Sequence, residues 1–312
     1  MTDKSESAGT SSIEAAKDAV EQIGLPSLNI LVVEDYPLNQ EVISAMLGHL
    51  GHRIDIAEDG LEAVSAVLRF RYDMILMDIH MPKMDGNTAA RRIRSLPRPE
   101  GDIPIIALTA DASMEQQKQC LASGMNDYLT KPIILPELLQ AMARCLAQGK
   151  TPDSGRGTQP AGANTKTDFA PGSEVGTIST PASDPKMDPD VVVKFAAMVG
   201  WETVTQLLET LEKDFPEHRK IITQAAEMGE IEVLRRQIQA LNGVLSQFGA
   251  TKVQETANVV ETLCKADFGA TAIDLIPQFL NLCSASIADL RQVVNAEAPD
   301  HGHGDTAAPL SM

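Results

Sequence analysis

Apolar and polar residues alternate between two patterns in the first half of the chain. Between residues 28 and 148, short apolar runs alternate with longer segments whose apolar positions recur every three or four residues. The runs predicted as strands are LNILVVE, RIDIAED, DMILMDI, IPIIALTA and DYLTK, and a helical segment follows each of them. This alternation predicts a parallel sheet of five strands that is covered by helices on both faces.

After Asp188 the apolar residues follow helical spacing only. Every periodic segment between residues 188 and 296 has helical spacing, and Gly-containing joints separate the five predicted helices. The final segment, ATAIDLIPQFLNLCSASIADLRQVVN, is predicted as one of these helices. Helices joined by short connections indicate an antiparallel all-α bundle.

The intervening residues 149–187 are rich in Gly, Pro, Ser and Thr. Such a composition buries too little apolar surface to offset the entropy of ordering, so we predict a flexible linker. Residues 1–27 form a polar N-terminal tail, and we predict a disordered tail at 297–312. The chain is therefore predicted to hold two domains, at 28–148 and 188–296.

Composition excludes several classes of function. The 312 residues carry a formal net charge of −17, and acidic residues outnumber basic ones in both domains, so no nucleic-acid partner is expected. The four cysteines form no C-x-x-C pair and are predicted to be buried, reduced thiols. No apolar run is long enough to span a bilayer, so we expect a cytoplasmic protein without a membrane partner.

Chemically active residues stand where the predicted strands end. Glu34 and Asp35 follow the first strand, Asp78 ends the third, Thr109 ends the fourth and Lys131 ends the fifth. Ligand-binding groups of an open parallel sheet lie at the carboxyl ends of the strands. Three carboxylates repel one another unless a hard cation neutralises them, and Mg²⁺ is the natural candidate. A carboxylate beside such a metal is suited to attack phosphorus.

The motifs VVEDYPLNQ, MDIHMPKMDG, ALTA and GMNDYLTKPI occur in this order within residues 28–148, and no motif is interrupted by a gap. In these motifs the domain resembles the receiver domain of two-component response regulators, the CheY-like superfamily. The resemblance implies a doubly wound, flavodoxin-like fold in which Asp78 is the phosphoacceptor. Glu34 and Asp35 would hold Mg²⁺ together with Asp78 and the backbone carbonyl of His80, and Lys131 would pair with the phosphoryl oxygens.

The resemblance also implies a conformational switch. Thr109 would move to hydrogen-bond the phosphoryl group, and Tyr128 stands where receivers carry an aromatic residue that turns inward. A half-buried structural tyrosine is the alternative for Tyr128. The Lys131-Pro132 bond resembles the cis peptide of this family, and His80 and Asp111 stand where receivers vary to tune the lifetime of the phosphoryl group.

The bundle resembles a histidine phosphotransfer (Hpt) domain without its reactive chemistry, most clearly in the stretch RRQIQALNGVLSQFGATKV. Gln239 stands at the position of the histidine and Asn242 at that of the lysine, whereas Gly243 is retained. An amide nitrogen is not a nucleophile, because its lone pair is delocalised, so we expect that this bundle does not carry phosphate. A generic helical bundle and a phosphosite at His218, the only histidine in the bundle, remain alternatives.

Helical spacing divides the motif helix into two faces. Leu234, Ile238, Leu241, Leu245 and Phe248 form a predicted buried stripe, whereas Gln239, Asn242 and Ser246 share a polar face.

These observations lead to the hypothesis of a response regulator whose phosphorylation on Asp78 switches protein interactions. The bundle would be a non-catalytic docking or regulatory module, and the protein would not be an enzyme. Expected partners are a sensor histidine kinase or phosphotransfer protein as donor, and a second receiver or kinase at the bundle. Alternatives are a phosphate sink, an adaptor or inhibitor of a sensor kinase, and a phosphorelay intermediate that uses His218. The bundle could also dock on its own receiver and occlude Asp78.

Overall fold

The computed structural model describes residues 25–110, 113–148, 187–266 and 268–298. Asp111 and nearly all of the two tails and the linker lie outside the described residues, so the predictions on them stay untested. The five strands are β1 (Asn29–Val33), β2 (Arg53–Ala57), β3 (Met74–Asp78), β4 (Ile105–Thr109) and β5 (Asp127–Thr130). Five helices alternate with them: α1 (Pro37–His49), α2 (Gly60–Arg69), α3 (Gly86–Arg94), α4 (Met114–Ala122) and α5 (Leu135–Gln148).

The strands form one parallel sheet in the order β2-β1-β3-β4-β5, so the chain reverses direction across the sheet after β2. Alternate residues of each strand point to opposite faces. In β1, Ile30 and Val32 join the apolar cluster beneath α1 and α5, whereas Leu31 and Val33 join the cluster beneath α2 and α3. The predicted doubly wound α/β fold is confirmed.

Short polar residues fix the starts of two helices that border the strand ends. The Asp59 carboxylate accepts hydrogen bonds from the backbone N–H groups of Leu61 and Glu62 and begins α2. The Asp85 carboxylate accepts one from the N–H of Thr88 at 2.9 Å and begins α3.

The C-terminal region consists of helices throughout its described residues. They are α6 (Pro189–Val199), α7 (Trp201–Met228), α8 (Ile231–Gln247), α9 (Thr251–Lys265), α10 (Gly269–Asp274) and α11 (Ile276–Glu297). The prediction of a single last helix was wrong, because the chain breaks between α10 and α11. Pro277 stands at the start of α11, where its missing N–H is tolerated and its fixed φ suits the helix. In a helix interior the missing N–H and the clash of its ring with the preceding turn would disrupt the helix.

The motif helix α8 packs into the bundle as predicted. Its apolar stripe is fully buried, with an exposed fraction of 0% at Leu234, Ile238, Leu241, Leu245 and Phe248. The four cysteines are free thiols, as predicted, but Cys264 is only partly buried.

The two domains pack against each other through α1. This helix contacts α6, α7 and α8, and buried apolar residues form one continuous cluster from the sheet through α1 into the bundle. Helix α1 therefore packs against two partners, the sheet and the bundle.

No single helix among the described residues is long and apolar enough to span a membrane. Helices α6 and α7, which meet at a bend of 117°, have the required length and hydropathy only as a pair.

Candidate functional site

Three predicted carboxylates meet at the carboxyl edge of the sheet. Glu34, Asp35 and Asp78 each offer an oxygen within 4.8 Å of the others. Glu34 and Asp78 have exposed fractions of only 1% and 7%. The cluster forms because β1 and β3 are neighbours at the point where the strand order reverses.

Lys131 supplies positive charge to this cluster. Its ammonium group lies 2.6 Å from a carboxylate oxygen of Glu34 and 2.8 Å from one of Asp78. Burial would lower the pKa of Lys131, but the two carboxylates outweigh it and raise that pKa above its ordinary value. Lys131 is therefore charged over the whole pH range in which proteins work.

Glu34 is held by a neighbouring amide side chain as well as by Lys131. The Asn39 amide donates to the other carboxylate oxygen at 2.8 Å. Burial raises the pKa of Glu34 to about 7, and Lys131 and Asn39 offset only part of this effect. The ionised form of Glu34 is thus poorly solvated in the absence of a metal.

Backbone geometry fixes the position of Asp78. The N–H of His80 donates to an Asp78 carboxylate oxygen at 3.2 Å. A side chain at Gly86 would collide with the Asp78 carbonyl, so only glycine allows α3 to begin this close to the end of β3. The predicted role of the His80 carbonyl as a metal ligand stays a prediction.

The predicted switch residues lie on the two strands beyond β3. Thr109 is buried at the end of β4 and is paired in register with Thr130 of β5. Tyr128 is partly buried against the cluster beneath α2 and α3. The Lys131-Pro132 bond is cis, as predicted. These positions fit a switch, but the movement itself stays a prediction.

An arginine of the bundle contacts the carboxylate cluster. Arg236 of α8 places its Nε 2.8 Å from a carboxylate oxygen of Asp35. Burial and the charge of Asp78 raise the pKa of Asp35, whereas Arg236 lowers it. A guanidinium from the second domain therefore stabilises the ionised form of a predicted metal ligand.

The same helix touches α1 and the segment that follows β5. Gly243 lies so close to Asn39 that an added Cβ would come within 2.9 Å of its side-chain oxygen. The Gln247 amide donates to the Ile133 carbonyl at 2.9 Å and accepts from the Ile133 N–H at 3.0 Å. Residues 236, 243 and 247 follow helical spacing, so one face of α8 covers the site.

A further cross-domain contact lies beside the acidic pair. The Tyr36 hydroxyl is 2.9 Å from His218 Nε2, and the two rings meet edge to face. His218 Nδ1 is 2.6 Å from the Gln237 side-chain oxygen, and an amide oxygen only accepts, so Nδ1 donates to it.

The polar residues of the motif are less exposed than an open docking face would be. Asn242 and Ser246 are buried, with exposed fractions of 5% and 6%, because α8 lies between its bundle neighbours and the first domain. Gln239 is partly buried, and its amide donates to Glu261 at 3.2 Å. The three residues do not present a free polar face in this arrangement.

Bundle cations also influence the rim of the site. Burial lowers the pKa of the His80 imidazole, and Arg235, Lys265 and Lys131 lower it further against the opposing charge of Asp78. Near them, a cleft of about 360 Å³ runs between the domains and is lined by Lys131 on one side and Lys265 on the other.

The donor set at the strand ends suits Mg²⁺. The three clustered carboxylates offer hard oxygen ligands, and their mutual repulsion is relieved by a divalent cation. This fit rests on Glu34, Asp35 and Asp78 themselves, all of which the sequence predicted.

Sequence reasoning missed several residues of the site. Asn39, Arg236 and Gln247 were assigned no role, because ordinary polar residues on helices carry no signal of a contact between distant segments. Helical spacing from Gln239 does place Arg236 and Gly243 near its face of α8, which was the one available clue.

Comparison with known families agrees with this geometry. The model of the response regulator receiver domain matches residues 30–143, and that of the Hpt domain matches residues 196–296. Among solved structures, the receiver domain of a sensor histidine kinase from Pseudomonas aeruginosa PAO1, which has magnesium in its active site cleft, is 46% identical. The match covers 39% of this chain and 99% of the solved domain, with a TM-score of 0.37.

Curated relatives are longer proteins. A probable histidine kinase 1 from Oryza sativa subsp. indica is 39% identical over 156 residues, which are 39% of this chain and 16% of the relative. The sensor histidine kinase RcsC of Escherichia coli strain K12 is 38% identical over 113 residues, which are 36% of this chain and 12% of the relative. The chain thus corresponds to a small part of either protein.

Fold, site and family matches lead to one assignment. This is a two-component signalling protein in which a response regulator receiver domain at residues 30–143 is followed by an Hpt domain at residues 196–296.

Proposed function

We propose that the protein accepts a phosphoryl group on Asp78 with the help of Mg²⁺, and that its Hpt domain regulates this reaction without carrying phosphate. The observation that carries the proposal is the carboxylate cluster with Lys131, which faces a motif helix that has Gln239 in place of histidine.

The receiver residues have distinct parts in the transfer. An Asp78 oxygen attacks the phosphorus of a donor phosphohistidine, the P–N bond breaks, and its electron pair returns to the imidazole, which takes up a proton. Lys131 is placed to pair with the transferred oxygens. Mg²⁺, held by Glu34, Asp35, Asp78 and the His80 carbonyl, would neutralise the charge that the transfer brings together. The receiver acts once per signal on itself, so we regard it as a switch rather than an enzyme.

The bundle contributes a covering surface. Contacts of α8 with Asp35, Asn39 and Ile133 support docking on the receiver of the same chain. A donor that needs α1 must displace the bundle, so docking would slow phosphorylation.

The position of His218 supports a docking role for this residue. Both of its ring nitrogens have hydrogen-bonding partners, Tyr36 and Gln237, in the docked arrangement. A phosphoryl carrier needs one ring nitrogen open to the donor, so this geometry favours the switch over a relay through His218.

Radiolabel transfer tests the proposal. The full chain is incubated with Mg²⁺ and labelled acetyl phosphate, alongside Asp78→Ala, Gln239→His and the control Asp102→Asn. The control removes an exposed carboxylate that precedes β4, at the opposite end of that strand from Thr109. We expect label on the native chain and the control and none on Asp78→Ala.

Onward transfer then tests the bundle. A second, unlabelled receiver is added, and we expect it to stay unlabelled with the native chain. Base-stable, acid-labile label on the native bundle, or transfer to the second receiver, would show a working histidine and overturn the non-catalytic role.

A further inference from the structure

Two cations from different domains meet the three carboxylates of the acceptor site. Lys131 of the receiver pairs with Glu34 and Asp78, and Arg236 of the bundle pairs with Asp35. Lys131 belongs to the receiver in every arrangement of the two domains. Arg236 neutralises Asp35 only while the bundle is docked.

We infer that Arg236 takes the place of the metal at Asp35, so that Mg²⁺ binding and docking of the bundle oppose each other. This inference rests on the proposed function, because Asp35 matters as a magnesium ligand only if the receiver is active. It adds a regulator to that function: the divalent cation itself weakens the contact that covers Asp78.

Electrostatics gives the reason for the opposition. Arg236 Nε uses a carboxylate oxygen of Asp35 at 2.8 Å, and a divalent ion at the same cluster would both repel the guanidinium and draw on that carboxylate. The Asp35 side chain is 10% exposed whereas that of Arg236 is 51% exposed. The arginine can therefore turn into water, but Asp35 has little solvent to replace a lost partner.

The neighbouring contacts single out Arg236. Arg235 pairs with Glu232 on its own helix, at 2.7 Å. The cross-domain contacts of Gln247 and Gly243 involve neutral groups. Among these contacts, the one made by Arg236 has the charge that a metal ion at the cluster would oppose.

The coupling between Mg²⁺ binding and docking is reciprocal, so it can be measured on either process. If docking weakens Mg²⁺ binding by some factor, Mg²⁺ weakens docking by the same factor. The coupling can therefore be read as a metal affinity in one experiment and as exposure of α1 in another.

Calorimetric titration of the full chain with MgCl₂ tests the first reading. We expect Arg236→Ala to bind Mg²⁺ about fivefold more tightly than the native chain, the lower range of usual coupling. Lys220→Ala removes the same charge from an exposed pair with Glu217 and should leave the affinity unchanged. Gln247→Ala loosens docking without a change of charge and should have a smaller effect. Equal affinities in all four proteins, or equal gains in Arg236→Ala and Gln247→Ala, would overturn the inference.

Hydrogen exchange of α1 tests the second reading. Saturating Mg²⁺ should speed amide exchange in α1 of the native chain and have less effect in Arg236→Ala. Unchanged exchange in the native chain would contradict the inference. The labelling of Asp78 at saturating Mg²⁺ distinguishes failure of the proposed function from failure of this inference. If Asp78 takes no label, the proposed function is wrong. If Asp78 is labelled but the Mg²⁺ affinities are equal, only the opposition between Mg²⁺ binding and docking is refuted.

Discussion

Glu34 is the most confined of the three carboxylates. It is 1% exposed, and its partners are Lys131 and Asn39. Burial raises its pKa to about 7, so the folded chain holds a proton there that the unfolded chain releases near 4.5. The ionised site is therefore strained electrostatically even with Lys131 beside it, and a divalent cation would relieve that strain.

This shift predicts a pH dependence of stability in the absence of metal. A group whose pKa is raised by folding contributes stability at pH values below its unfolded pKa, and that contribution is lost as the pH rises through the folded value. The native chain in EDTA should therefore lose stability between about pH 4.5 and pH 7. Glu34→Gln, which cannot ionise, should lose less over this range.

Urea unfolding at a series of pH values measures the difference. Glu115→Gln, at an exposed position of α4, serves as the control and should follow the native chain. If Glu34→Gln shows the same pH dependence as the native chain, burial of Glu34 does not control it.

Individual residues of the site were predictable only where a motif marks them. Asp78, Lys131 and Glu34 stand at strand ends, and the strand pattern alone brings them together. Arg236 and Gln247 lie more than a hundred residues from their partners and have the same pattern as any solvated helical residue. Their role depends on how two domains pack, which a local pattern does not encode.

At the scale of elements, α8 serves two surfaces. Its apolar stripe completes the bundle core, and the face with Arg236, Gly243 and Gln247 covers the receiver. Gly243 allows the closest approach, because its missing side chain leaves room for Asn39.

A larger residue at this position should separate the domains. Gly243→Leu would push against the Asn39 amide, which is itself tied to Glu34, while leucine is favoured over glycine in a helix by about 1 kcal/mol. We therefore expect an intact bundle, faster amide exchange in α1 and faster labelling of Asp78.

Gly48→Ala is the matched control, because a Cβ at this glycine of α1 meets nothing within 4 Å. It should leave exchange and labelling close to native values. Native exchange in Gly243→Leu would mean that α8 does not hold the domains together.

The pattern of apolar residues predicted most elements and missed one boundary. Periodicity continues across residues 270 to 295, so it gave a single helix where a new one begins at Ile276, just before Pro277. In α7 the same reasoning succeeded, since the helix runs through Pro216. Periodicity reports which side chains are buried, and it is blind to the backbone hydrogen bond that a proline removes.

For the whole molecule, the decisive feature is the continuous apolar cluster from the sheet into the bundle. It joins the domains through α1. The association should therefore outlast a cut between residues 149 and 186.

Cleavage tests this expectation directly. A protease site is inserted between residues 149 and 186, and the cut protein is analysed by size-exclusion chromatography. We expect the two pieces to elute together, and to separate when Gly243→Leu is also present. Separate elution of the cut native pieces would show that the linker, rather than the interface, holds the domains together.

Under the proposed function, the bundle that covers α1 would set a threshold for every incoming donor. A domain tethered to its own binding surface competes at an effective concentration that reaches roughly millimolar for short flexible linkers. The apparent affinity of an outside donor falls by the fraction of chains in which α1 is uncovered. Encounters with weakly matched kinases then fail more often than encounters with a strong cognate donor, so an inert copy of a phosphotransfer domain would insulate the pathway from crosstalk.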